Sequence, residues 1–74
     1  MVRFNKVVAN DFETHEIIRM MREWTDLNQE EFGKSIGRTR DSINNIEHGR
    51  NRMSLDEFMY LCRKHRIIVI LEKR

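Results

Sequence analysis

A chain of 74 residues holds one domain, and a domain this short buries so little surface that a disulfide, a metal or a second copy commonly supports it. Its single cysteine, Cys62, excludes an internal disulfide and fits a reducing compartment. The net charge is only +2, and no apolar run approaches the roughly 20 residues that cross a bilayer.

Residues 1–10 lack the apolar core of a secretion signal, so the sequence is read as cytoplasmic. The spacing of Asn10 and Glu13 has the form of a capping box, in which side chains and free backbone N–H groups bond reciprocally. A first helix is therefore expected over residues 11–25, with Ile17, Ile18, Met21 and Trp24 recurring at helical intervals. Trp24 is either a core anchor or cover for a partner surface.

Asn28 with Glu31 repeats the capping signature. It predicts a second helix over residues 29–36, with Phe32 and Ile36 inward and Gly37 as a left-handed stop. Thr39 is the next N-cap, opening a helix over residues 40–48 with Ile43 and Ile46 on one face and Gly49 beyond it. Ser54 with Glu57 gives a third capping box. A fourth helix over residues 55–65 then turns Leu55, Phe58, Leu61 and Cys62 inward.

The tail changes character. Ile67, Ile68, Val69, Ile70 and Leu71 are mostly β-branched, which favours a strand over residues 67–72. Such a strand needs a partner, either residues 2–8 or the same strand of a second copy. A further helical turn is the alternative.

Charge is unevenly spread. Residues 1–36 carry five basic and seven acidic side chains, and residues 37–74 carry nine and five. Arg38, Arg40, Arg50 and Arg52 bunch around one short segment. Phosphates attract such a cluster, although a solvated surface has the same composition. His15, His48 and His65 are too scattered for a metal box. No nucleophile–base set or phosphate loop points to an enzyme or to a cofactor.

Residues 29–46 join two short helices through Gly37, Arg38 and Thr39, with small Gly33 where the helix backbones approach. That is the shape of a helix-turn-helix. A second helix of this kind enters the major groove, while the N-terminus of the first, here Asn28 and Gln29, faces phosphate.

The stretch 27–37 (LNQEEFGKSIG), its continuation 38–50 (RTRDSINNIEHGR) and the segment 54–58 (SLDEF) resemble the Cro/repressor (Xre-like) family. The likeness covers about residues 15–65. Gly33 departs from it, since alanine is usual there and glycine costs a helix about 1 kcal/mol. The tail departs too, and resembles the compact antitoxins of the high-persistence type, whose C-terminal strands pair across a dimer, as well as prophage and mobile-element regulators.

The resemblance implies an all-α fold, a four-helix Cro/repressor-like domain with a short C-terminal β-strand. It implies base contacts from Arg40, Asp41 and Asn45, with Asn44 next, on a face that would otherwise read as solvated. It implies phosphate contacts from Asn28, Gln29, Arg38, Thr39, Arg50, Asn51 and Arg52. Arg22 and Glu47 match positions that form an ion pair between the first and third helices. The expected function is a sequence-specific regulator of transcription, a repressor that binds double-stranded DNA at an inverted repeat as a homodimer. The alternative is an antitoxin that neutralises a toxin protein and represses its own operon.

Overall fold

The computed structural model describes residues 5–74. Its regular elements, among the described residues, are all helical: a 3-10 turn at Ala9–Asp11, then α1 (Thr14–Thr25), α2 (Gln29–Lys34), α3 (Arg40–Glu47) and α4 (Leu55–Lys64).

α1 begins three residues later than the Asn10/Glu13 spacing predicts. The 3-10 turn occupies that stretch, closed by bonds from the Asp11 and Phe12 N–H groups to the Val8 and Ala9 carbonyls. Glu13 then caps α1, and its N–H donates to Glu16 Oε1 at 2.8 Å. The helix stops where Asp26 adopts a left-handed conformation, φ 62°, tolerable for a short polar side chain. The Thr25 hydroxyl donates to the Arg22 carbonyl and accepts from the Leu27 N–H.

The later caps follow local spacing. Asn28 Oδ1 accepts from the Glu31 N–H, Thr39 Oγ1 from Ser42 and Ser54 Oγ from Glu57. α2 is shorter than its apolar pattern, because the Ile36 and Gly37 N–H groups turn back to the carbonyls of Gly33 and Lys34. This tightened last turn, followed by Gly37 at φ 69°, swings the chain toward Arg38 and α3.

The core joins Ile18 and Met21 of α1, Phe32 of α2, Ile43 and Ile46 of α3, and Leu61 and Cys62 of α4. Ile17, Leu27, Ile36, Met53, Phe58 and Ile67 pack around them, and Trp24 is half-buried. Burial raises the Cys62 thiol pKa, so this cysteine behaves as a small apolar residue. Leu55 is a misreading of the periodicity: it is 74% exposed at the first position of α4, beyond the edge of the core.

The β-strand expected over residues 67–72 is absent. Arg66 adopts φ 58° and the Ile67 N–H bonds back to the Cys62 carbonyl, closing the end of α4. Ile67 tucks against the core, whereas Ile68, Val69, Ile70 and Leu71 run on without pairing and are exposed. β-branched side chains favour an extended backbone, but a strand exists only through a ladder. Residues 5–8 of the segment considered as partner form no strand, and its residues 2–4 lie outside the described residues. The structural basis for likening the tail to a paired dimer strand falls with it, and so does a further helical turn.

Candidate nucleic-acid interface

α2 and α3 cross at very short range, which Gly33 makes possible. A Cβ added there would lie 2.7 Å from the Arg38 carbonyl oxygen and 2.7 Å from Ile43 Cγ1. Glycine is thus a packing requirement, and an alanine would not fit without displacing backbone.

With Ile43 and Ile46 buried against this crossing, the opposite side of α3 faces outward. Arg40 and Asp41 are exposed there and touch each other, Nη2 to Oδ1, at 3.4 Å. Asn44 and Asn45 follow on the same helix and are half-buried. Thr39, Arg50, Asn51 and Arg52 are exposed at the two ends of α3.

Two arginines hold this helix from behind. Arg22 of α1 donates from Nε to Glu47 Oε2 at 2.6 Å and from Nη2 to Oε1 at 3.0 Å, while its Nη1 donates to the Leu27 carbonyl at 3.1 Å. The Glu47 side chain is 3% exposed, so the pair lies inside the domain. Its hydrogen bonds to Glu47 raise the Arg22 pKa despite the opposing cost of burial.

Arg38 forms the second clamp. Its Nε and Nη2 grip Glu57 of α4 at 2.7 and 2.9 Å, and Nη1 donates to Ser42 Oγ of α3 at 2.8 Å. Glu57 also accepts from the Ser54 N–H in the cap of α4. The hydrogen bond from Arg38 is the main reason the Glu57 pKa falls to about 2. The sequence alone assigns Arg38 to phosphate and does not reveal its pairing with Glu57. The capping box gave Glu57 a local role, and nothing in residue spacing reveals a partner on another helix.

Gln29, also expected at phosphate, is half-buried and turns back into the fold. Its Nε2 donates to Asn44 Oδ1 at 3.2 Å and to Glu47 Oε1 at 3.3 Å. Asn28 is exposed and engaged in its capping box. Arg50 Nη1 donates to Asn45 Oδ1 at 3.2 Å, and His48 Nδ1 sits 2.8 Å from the Asn44 carbonyl.

The site is therefore one exposed helix face, lined with side-chain donors and acceptors and fixed at both ends by ion pairs to α1 and α4. It can offer hydrogen bonds to a surface wide enough to receive a helix. Among the described residues, no three His, Cys, Asp or Glu side chains cluster to hold a metal, and no helix is long and apolar enough to cross a membrane.

Residues 16–67 match the family model described as a helix-turn-helix domain. No curated protein and no solved structure matches the chain.

Proposed function

The chain belongs to the helix-turn-helix domain family, a class of DNA-binding domains, and from that premise we propose that it is a sequence-specific regulator of transcription. In this reading it is a repressor that occupies an inverted-repeat operator in double-stranded DNA as a homodimer. The observation that carries the reading is the outward face of α3, where Arg40, Asp41, Asn44 and Asn45 stand on a helix locked by the Arg22–Glu47 and Arg38–Glu57 pairs. A rigid ridge of polar side chains can read base edges without first paying to become ordered.

Thr39, Arg50, Asn51 and Arg52 flank that ridge and suit phosphate. Asn28, exposed just before α2, would approach the backbone beside it, while the Gln29 side chain stays turned toward Asn44 and Glu47. Exposed Ile68, Ile70 and Leu71 supply apolar surface for association of two copies. The same surface supports a second reading, in which the partner is a toxin protein that the chain neutralises.

Selection from a randomised duplex library tests the proposal. The expected product is an inverted repeat whose half-sites lie about 34 Å apart, one helical turn. Equal retention of every duplex would reject sequence-specific regulation. Co-purification of a toxin with the chain would favour the second reading.

A further inference from the structure

We propose that two copies of the chain associate by exchanging tails, residues 68–71 of each copy lying in a groove between α1 and the end of α3 of the other. The inference rests on the homodimer reading above and names the surfaces that form it.

The tail is costly surface. Ile68, Ile70 and Leu71 are 83%, 76% and 95% exposed and Val69 is 42% exposed, so four consecutive apolar residues face water. A run of this kind commonly marks a site of association. It is anchored at one end, where the Ile67 N–H bonds to the Cys62 carbonyl and the Ile67 side chain packs on the core. The seven residues beyond Ile67 reach at most about 25 Å when extended, which is enough to cross to a neighbouring copy.

The receiving surface is a groove of about 480 Å³ between the outer face of α1 and the C-terminal end of α3, within the size range of clefts that hold a ligand. Glu16, Met20 and Glu23 recur along its α1 side, Phe12 stands at the start of that side, and His48 stands at the α3 end. Phe12 and half-buried Met20 supply apolar contact for aliphatic side chains. The unbranched Met20 side chain adapts to an irregular partner.

Charge favours this pairing over the alternatives. Residues 11–23, which form the α1 side, carry four acidic and two basic side chains, and Arg22 is committed to Glu47. Residues 63–74 carry five basic side chains and one acidic. A tail approaching the groove of another copy is therefore attracted, whereas tail against tail would bring Arg66, Lys73 and Arg74 beside their own counterparts. The exchange is also reciprocal. Each copy gives one tail and one groove, so two copies close on a two-fold axis with both grooves filled. Arg40 and Asp41 lie at the opposite end of α3 from His48 and stay open to DNA.

Sedimentation equilibrium without DNA tests the association, and cross-linking identifies the surfaces. Wild-type protein should be a dimer. Ile70→Glu and Met20→Glu should each raise the dimer Kd at least about tenfold, since each removes apolar contact from one side of the same joint. Ile70 is exposed, so Ile70→Glu carries the test if Met20→Glu fails to fold. Under a mild chemical oxidant, Ile70→Cys mixed with Met20→Cys should yield a disulfide-linked heterodimer, and Cys62 is buried away from the reaction.

Ile70→Cys that links only to itself would put tail against tail and overturn the groove alone. So would an internal link within a monomer carrying both Met20→Cys and Ile70→Cys, or a dimer that neither glutamate variant weakens. A monomeric wild-type protein would overturn this inference together with the homodimer reading, leaving sequence-specific recognition to be decided by the library selection.

Discussion

Arg38 and Glu57 stand 19 residues apart in the chain and meet in a two-point ion pair, with Nε–Oε2 at 2.7 Å and Nη2–Oε1 at 2.9 Å. The pair ties the turn before α3 to the first turn of α4, and Ser42 Oγ extends it into α3 itself. Both side chains are about a quarter exposed (24% and 25%), so the pair lies between the weak surface type and the fully buried type. Arg38→Ala should destabilise the domain by about 2 kcal/mol. Urea unfolding of both single variants and the double variant should give a clear coupling energy. Because this guanidinium is turned inward, the variant should also alter the salt dependence of DNA binding less than Arg50→Ala does.

The Arg22–Glu47 pair should be costlier to break. Arg22→Ala leaves a carboxylate that is 3% exposed without its cation, and about 3–5 kcal/mol of stability should be lost. A cycle combining it with Glu47→Gln should recover part of that loss, since a neutral amide needs no cation. If the two losses simply add, the pair is not coupled.

Gly33→Ala is expected to destabilise, against the ordinary trend. Helix propensity favours alanine by about 1 kcal/mol, but the new methyl would press on the Arg38 carbonyl and Ile43 at 2.7 Å. Overpacking of this kind costs about 1–3 kcal/mol. A lower thermal midpoint than wild type is the expected outcome, and a higher one would show that α2 and α3 can separate freely.

Stability should fall as the medium is acidified, in two stages. Burial lowers the pKa of His65, whose ring stacks on Phe32 with centroids 5.8 Å apart and whose Nε2 is buried without a partner. The unfolded chain therefore takes up this proton first, and stability present above about pH 6.5 declines as pH drops through the lowered value. The Glu57 contribution is complete above about pH 4.5 and disappears as pH falls toward about 2. Chemical denaturation of His65→Phe should show a flatter profile in the first window, and of Glu57→Gln in the second.

At the DNA, two arginines should behave differently. Arg40 stands on the exposed face of α3, and Arg40→Ala should cost about 1–3 kcal/mol at one base and relax specificity there. Arg50→Ala should weaken binding to all duplexes and reduce the salt slope by about one unit. Fluorescence anisotropy on operator and random duplexes over a salt series distinguishes the two. Equal losses for Arg40→Ala on both duplexes would remove it from the base-reading set.

Helix beginnings were legible wherever a cap acts three residues ahead, as at Asn28, Thr39 and Ser54. Inward faces were legible where apolar residues sit mid-helix, as at Ile18, Ile43 and Leu61. Leu55 shows the limit, because periodicity places a residue on a face but does not say where the core ends. The Arg22–Glu47 pairing came from family resemblance, since periodicity does not link positions 25 residues apart.

From its sequence alone the four helices, the caps of α2, α3 and α4 and the mid-helix apolar positions follow, because these depend on neighbours within about one turn. Three matters were decided only when the helices packed: the inward turn of Arg38, the orientation of the Asn44 and Asn45 amides, and the unpaired course of residues 68–71. Each depends on which atoms from distant parts of the chain come within hydrogen-bonding range. A side chain's composition sets what it can bond, but only its placement in space sets what it does bond.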